Sequence, residues 1–168
     1  PILLDGLQRL EYRGYDSAGI AVLDEGVIRV AKGAGKLSVL RAGLEGAYPP
    51  GRIGIGHTRW ATHGKPTTDN AHPHLDCRGE VVVIHNGIVE NYLTLRAELQ
   101  ERGHDLRSET DTEVLPHLIE SYMDAGLALL PALQQTLARI DGAHAIVVMS
   151  SRELGTILAA RAGNAGGV

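Results

Sequence analysis

Nine consecutive residues, Gly56 to Gly64, bring together side chains that can recognise a small charged molecule. Between two glycines they place a guanidinium, an indole, two hydroxyls and two imidazoles. Arg59 can hold a carboxylate through two parallel hydrogen bonds, and Thr62 adds a hydroxyl donor. The alternation from Arg52 to Gly56 predicts a strand that leads into these groups. The stretch therefore predicts a binding site for a small zwitterion; the alternative is an ordinary strand-to-loop exit with a surface arginine and a half-buried tryptophan.

A second group of polar residues follows an apolar strand predicted at Val81 to Ile84. An asparagine amide and an adjacent backbone N–H, as Asn86 and Gly87 offer, are sufficient to stabilise an oxyanion. An Asn-Gly dipeptide also commonly forms the tight turn of a β-hairpin. The hairpin turn is less expected here, because Ile88 to Asn91 leads into a helical pattern and not into a matching strand.

A third group surrounds a predicted helix start. Thr110 and Glu113 match the N-cap and N3 positions of a capping box. This would place Asp111 in the first helical turn, where the helix dipole favours a carboxylate. Pro116 should kink this helix or shift its start. Arg59 and Asp111 thus offer one charge of each sign, as a zwitterion requires, although each could instead form an intramolecular ion pair.

The chain must supply elements that position these groups. Residues 58–79 show no period and form a long loop, which in compact domains is usually functional. The mixed order of hairpins and helices favours an α+β fold, with helices packed on antiparallel sheets, over a doubly wound parallel fold. Helices are predicted at 2–12, 37–44, 92–99, from 110 and at 127–140, with a break near Pro131, and strands at 20–23, 27–31, 52–57, 81–84, 145–149 and 156–160.

Composition narrows the classes of function. The 168 residues fit one domain, and 43% hydrophobic and 21% charged residues are globular values. A net charge of −4 gives no reason to expect nucleic acid or an anionic membrane as partner. No apolar run is long enough to span a bilayer, and no signal peptide is visible. The single cysteine, Cys77, cannot form an internal disulfide, which favours a cytoplasmic location.

Histidines raise the possibility of a metal site, because five of the eight lie between positions 57 and 85. His72 and His74 flank one proline, with Asp69 and Asp76 nearby. The sequence contains no HExxH motif, no paired cysteines and no helical i, i+4 histidine pair. We therefore expect hydrogen-bonded histidines and no metal, and keep a metal-dependent hydrolase as a minor alternative.

Four motifs occur in a fixed order: EYRGYDSAG at 11–19, GHTRWATHG at 56–64, HNGIVEN at 85–91 and SETDTE at 108–113. Together they resemble the class II glutamine amidotransferase domains, which are N-terminal-nucleophile hydrolases. The first two motifs and the NAHPH segment at 70–74 are most similar to the glucosamine-6-phosphate synthase branch. The resemblance covers nearly all of residues 1–161. It implies a four-layer αββα sandwich of two antiparallel sheets flanked by helices, here incomplete at both ends.

The resemblance also implies roles for the residues already singled out. Arg59 is expected to bind the α-carboxylate of glutamine, and Asp111 its α-ammonium group. Asn86 and Gly87 are expected to form the oxyanion hole. The implied reaction is the hydrolysis of L-glutamine to glutamate and ammonia, without a metal or an organic cofactor.

The remaining candidates belong to the surroundings of the substrate. Trp60, Thr62 and His63 resemble the family's mobile loop over glutamine, with Trp60 gating the exit of ammonia; a lone core tryptophan is the alternative. Arg13 resembles an arginine close to the nucleophile, and the alternative is a surface cation.

The nucleophile itself is expected outside this sequence. In the family an N-terminal cysteine attacks the amide, with its own α-amine as base, and internal Cys77 is no substitute. We therefore expect a single amidotransferase domain at 1–168 that is inactive alone. Its implied partners are the sugar isomerase domains of a parent chain, with homodimerisation through them. Two alternatives are a different class II amidotransferase and a non-catalytic glutamine-binding module.

Overall fold

The computed structural model describes residues 1–60 and 65–165, without the side chain of Arg13. Within these ranges the chain forms seven strands, five α-helices and one 3-10 helix. The residues divide into two compact units. The first unit comprises 1–73 with 108–110, and the second comprises 74–107 with the residues from 111 onward.

The first unit is a three-stranded antiparallel sheet with two short helices. Its strand order is β2-β1-β3, so β1 is central. Leucines of the two helices pack with the buried side chains of β1, including Ile20 and Val22, to form the core. In chain order the elements are α1 (Ile2–Gln8), the 3-10 helix (Glu11–Arg13), β1 (Ser17–Asp24), β2 (Val27–Ala34), α2 (Leu37–Gly43) and β3 (Ile53–Arg59).

The second unit is a four-stranded antiparallel sheet in the order β4-β5-β6-β7. The central strands β5 and β6 supply buried valines and isoleucines, and three helices supply leucines to the same core. The elements are β4 (His74–Leu75), β5 (Val81–Gly87), α3 (Tyr92–Glu101), α4 (Val114–Asp124), α5 (Leu129–Leu137), β6 (His144–Ser150) and β7 (Ile157–Ala162).

The predicted α+β class with antiparallel sheets is confirmed. The first helix is shorter than predicted, because it ends at Gln8 and a 3-10 turn follows. Strands β1 and β5 are longer than the apolar segments from which they were predicted. Each also includes polar residues that the hydrophobic pattern does not assign to a strand. These polar extensions carry the motifs.

The predicted capping box is wrong. Helix α4 begins at Val114, and its N-cap Glu113 makes no side-chain capping bond. The Glu113 carboxylate instead accepts the N–H of Arg107 at 2.8 Å. A start at Asp111 would leave Pro116 without an N–H inside the helix, whereas the observed start places it in the first turn, where no N–H is needed.

The position of a proline also determines where helix α5 begins. It begins at Leu129, so Pro131 also lies in a first helical turn and no break occurs there. The predicted helix at 127–140, broken near this proline, is therefore too long at both ends. No helix within the described ranges is both long and apolar enough to cross a membrane.

Candidate functional site

Arg59 is a buried residue of β3. Arg59 is the last residue of β3, and burial alternates along this strand, so Ile55, His57 and Arg59 share its covered face. The pairing with β1 places Arg59 opposite Ser17. Only 5% of Arg59 is exposed. It is therefore not the surface arginine of the alternative interpretation.

The EYRGYDSAG and GHTRWATHG motifs meet at the end of β3. A Cβ at Gly14 would lie 2.7 Å from the carbonyl carbon of Arg59, so only glycine permits this backbone approach. The N–H of Asp16 donates to the carbonyl oxygen of Arg59 at 3.3 Å. The rings of Tyr15 and Trp60 make an edge contact with centroids 5.4 Å apart. Trp60 is 58% exposed, so it is not a core tryptophan.

Three other candidates lie wholly or partly outside the described residues. Thr62 and His63 lie outside the described residues. The backbone of Arg13 ends the 3-10 helix directly before Gly14, and its side chain is outside the described part.

The NAHPH segment is held against the first sheet. Lys32 donates to the carbonyl oxygens of residues 69, 71 and 73 at 3.1, 2.7 and 3.2 Å. A Cβ at Gly19 would lie 2.1 Å from the carbonyl oxygen of His72, so a side chain there would displace the segment. The rings of His57 and His72 stack with centroids 4.3 Å apart.

These contacts involve residues near His72 and His74, at which a metal site was considered from the sequence. His72 is engaged by ring stacking on His57. Asp76 accepts the N–H groups of Glu80 and Val81 at 2.7 and 3.0 Å, so its carboxylate closes the turn between β4 and β5.

The end of β5 is braced by a buried histidine network. His85 Nδ1 lies 2.9 Å from Thr112 Oγ1, and His85 Nε2 lies 3.1 Å from His144 Nδ1. All three residues are at most 3% exposed. Burial lowers the pKa of His144 from its ordinary value of 6.5. At pH 7 its imidazole is therefore neutral and can accept or donate one hydrogen bond to His85.

Asn86 and Gly87 directly follow this braced histidine. Gly87 has a φ of +136°, and a Cβ there would lie 2.1 Å from the carbonyl oxygen of Ala143. No other residue fits this position without strain. Both residues pair with β6, and the chain then continues to α3. Asn86 and Gly87 therefore do not form the tight turn of a β-hairpin.

Asp111 is tied to the same segment. Its Oδ2 accepts the N–H of Val89 at 2.7 Å, and Asp111 is 5% exposed. A charged acceptor makes this a strong hydrogen bond. Since Val89 is two residues after Gly87, the carboxylate and the Asn86-Gly87 segment are connected by one short stretch of backbone.

The sequence matches the family model described as glutamine amidotransferase domain over residues 57–164, more than half of the chain. The chain belongs to the glutamine amidotransferase domain family. This amidotransferase domain is also similar to longer curated proteins and to solved structures.

Its relatives include proteins named glutamine–fructose-6-phosphate aminotransferase [isomerizing] from several organisms. That of Methanothermobacter thermautotrophicus is 56% identical over 161 residues, which cover 96% of this chain and 27% of the relative. That of Streptomyces coelicolor is 52% identical over 161 residues, or 95% of this chain and 26% of the relative. The chain thus spans about a quarter of the length of these relatives.

Two solved structures share the fold. The glutamine phosphoribosylpyrophosphate amidotransferase from B. subtilis, complexed with ADP and GMP, has a TM-score of 0.74 and 28% identity, covering 88% of this chain and 32% of its own. The allosteric regulatory enzyme of purine biosynthesis has a TM-score of 0.77 and 30% identity, covering 89% of this chain and 32% of its own.

Two members of the histidine network were not predicted. The capping-box interpretation assigned Thr112 to a helix start, and His144 lies 59 residues after His85 in the chain. Only the register between β5 and β6, which pairs Gly87 with His144, brings these two histidines together. No local sequence signal indicates that register.

Proposed function

We propose that this amidotransferase domain binds L-glutamine and hydrolyses its side-chain amide to glutamate and ammonia. Arg59 binds the α-carboxylate, and Asp111 binds the α-ammonium group. The observation that carries this proposal is the burial of both charges, each 5% exposed, within motifs of the matched family. A guanidinium can hold a carboxylate through two parallel hydrogen bonds, and a carboxylate pairs with an ammonium group, so the two residues offer one charge of each sign to a zwitterionic substrate.

Asn86 and Gly87 serve as the oxyanion hole in this proposal. The Asn86 side-chain amide and the Gly87 backbone N–H are the donors. Donors of this kind act best when they are already fixed before the reaction. The network of His85, Thr112 and His144 and the glycine-specific φ of Gly87 support such a fixed geometry.

The surroundings of Arg59 complete the proposed site. Trp60, Thr62 and His63 belong to the loop that covers glutamine, and Trp60 gates the route by which ammonia leaves. The exposure of Trp60 and its edge contact with Tyr15 support a role outside the core. Arg13 lies near the nucleophile in this proposal, next to Gly14 and the end of β3.

The parent enzyme uses the ammonia to convert fructose 6-phosphate to glucosamine 6-phosphate. This proposal is supported by 56% and 52% identity to proteins named glutamine–fructose-6-phosphate aminotransferase, against 28% and 30% identity to the two solved structures. Its partners are sugar isomerase domains in the same chain, and the protein forms a homodimer through them. The alternatives are another class II amidotransferase and a non-catalytic glutamine-binding module.

The decisive experiment is Arg59→Lys in the intact protein, assayed by release of ammonia from glutamine. Lysine keeps the charge and loses the two-pronged geometry. Loss of one charge-assisted bond costs about 1.5–3 kcal/mol, which corresponds to a rise of roughly 10- to 150-fold in KM.

Arg52→Lys is the matched control, because Arg52 is exposed and precedes the same strand; its KM should stay at the wild-type value. A KM for Arg59→Lys within about threefold of wild type would contradict the carboxylate role. Wild-type protein that binds glutamine without releasing ammonia would instead be a binding module.

A further inference from the structure

Four potential metal ligands converge in the second unit, outside the groups proposed to bind glutamine. They are Cys77, His104, His117 and Glu120, called here the Cys77 cluster. One ligand atom from each lies within 4.8 Å of every other. Three different segments supply them: the turn between β4 and β5, the loop after α3, and helix α4. His117 and Glu120 are three residues apart, so they lie on one helix face.

The distances within the Cys77 cluster match the edges of a coordination tetrahedron. Zinc–sulfur, zinc–nitrogen and zinc–oxygen bonds of about 2.3, 2.0–2.1 and 2.0–2.2 Å imply ligand–ligand separations of roughly 3.3–3.6 Å. The two Nδ1 atoms lie 3.3 Å apart, and Cys77 Sγ lies 3.5 Å from His104 Nδ1 and 3.4 Å from His117 Nδ1. Glu120 Oε2 lies 3.0 and 3.6 Å from the same two nitrogens.

Hydrogen bonds alone do not account for this convergence. The Nδ1 atom of His104 has either one hydrogen or one lone pair. It nevertheless faces the thiol of Cys77, the other imidazole and the Glu120 carboxylate at 3.0–3.5 Å. A single nitrogen cannot serve three partners, whereas a cation at the centre uses all four lone pairs at once.

We propose that the Cys77 cluster is a structural zinc site. One thiolate, two imidazoles and one carboxylate fill four tetrahedral positions, as in closed structural sites. The thiolate and imidazole ligands favour zinc over calcium or magnesium, which take oxygen ligands. The ion also compensates the carboxylate of Glu120, which is 3% exposed.

Neighbouring groups orient the ligands as in known zinc sites. Nε2 of His104 lies 2.9 Å from Ser121 Oγ. Donation of the Nε2–H to this hydroxyl leaves Nδ1 unprotonated and directed at the ion. The Cys77 turn is itself fixed by Asp76, which accepts two backbone N–H groups beyond the turn. The ligand geometry is therefore held from outside the cluster.

The position of the cluster indicates a structural and not a catalytic ion. The Cys77 cluster lies before the start of β5, and Asn86 and Gly87 lie at its end. At about 3.3 Å per residue, the strand separates them by roughly 20 Å. The ion would crosslink a turn, a loop and a helix that are far apart in sequence, in a unit that contains no disulfide.

The test uses the purified intact protein and two readouts that do not depend on activity. Elemental analysis after dialysis should find zinc bound to wild type, and cobalt exchanged into the site should show a thiolate charge-transfer band and intense tetrahedral d–d bands. Removal of zinc with a chelator should lower Tm, and its return should restore Tm. Cys77→Ser should abolish the cobalt charge-transfer band and weaken zinc affinity more than about 100-fold, since loss of an outer partner alone costs about 10- to 100-fold.

Glu101→Gln is the matched control, because Glu101 is an exposed carboxylate at the end of α3 near the loop of His104. It should keep the zinc affinity, the cobalt spectrum and the Tm of wild type. Wild-type protein that takes up neither zinc nor cobalt would overturn the proposal, and so would a Cys77→Ser protein with an unchanged cobalt band. The wild-type spectrum requires no variant, so it stands even if Cys77→Ser folds poorly.

Discussion

The carboxylate of Asp111 has two roles, and a single substitution can separate them. Its Oδ2 accepts the N–H of Val89 at 2.7 Å in the buried interior, and its charge is proposed to bind the ammonium group of glutamine. Asparagine has nearly the same shape and keeps one acceptor oxygen. Asp111→Asn should therefore preserve the backbone contact and remove the charge that the substrate needs.

The expected magnitudes differ between the two roles. A hydrogen bond to a charged group contributes about 1.5–3 kcal/mol, and one between neutral groups about 0.5–1.5 kcal/mol. Replacement of the charged acceptor of the Val89 N–H by a neutral one should thus lower the free energy of unfolding by about 1 kcal/mol. The substrate ammonium loses its charged partner, so kcat/KM should fall roughly 10- to 150-fold, which corresponds to about 1.5–3 kcal/mol.

The assay is ammonia release from glutamine by the intact protein, combined with urea unfolding. Asp105→Asn is the control, because the Asp105 side chain is 70% exposed and pairs with Arg107 on the surface. Surface pairs contribute little, so both readouts should stay near wild type. A kcat/KM for Asp111→Asn within about threefold of wild type would refute ammonium binding by Asp111.

Three further predictions concern the same motifs. Asn86→Ala should lower kcat by about 10²–10³ with a smaller change in KM, because an oxyanion donor acts mainly in the transition state; equal weakening of glutamine and glutamate binding would contradict this. The lowered pKa of His144 means that the unfolded state takes up a proton first, so the free energy of unfolding should fall as pH drops below 6.5, by at most about 1.4 kcal/mol per pH unit. Denaturant titrations of His144→Gln should show a shallower pH slope, and an unchanged slope would assign the effect elsewhere. Gly19→Ala should lower Tm, because its Cβ would lie 2.1 Å from the carbonyl oxygen of His72; thermal unfolding equal to that of wild type would show that the segment can move aside.

The sequence predicted those features that depend on local pattern. The apolar run at 81–84 placed β5, and the polar residues directly after it gave Asn86 and Gly87 their position at a strand end. The N-cap of α4 was predicted three residues too early, at Thr110 and not Glu113, because the Thr-x-x-Glu pattern was weighted above Pro116. Both signals were in the sequence, and the missing proline N–H decides between them.

Contacts between distant segments could not be predicted in this way. The Cys77 cluster joins residues that are separated by 27 and 13 positions, and it lacks the closely spaced cysteine or histidine pairs by which zinc-binding sequences are recognised. A metal was considered only at the histidines between 57 and 85, where hydrogen bonds were expected instead, and it was not considered at His104 and His117. The His117–Glu120 spacing on one helix face was the only local signal for the cluster.

The hydrogen bond between Asp111 and Val89 also has a consequence for substrate selectivity. The residue that is proposed to recognise the ammonium group anchors the backbone two positions beyond Gly87. An amide that lacks this ammonium group would leave the Asp111 carboxylate without its counter-charge. The Asn86 amide and the Gly87 N–H would then lose part of their alignment. Such a truncated substrate should then react slowly even at saturation, because binding energy at one end of glutamine is used to order the other. The domain would thus discriminate against simple amides through a lower kcat as well as through weaker binding.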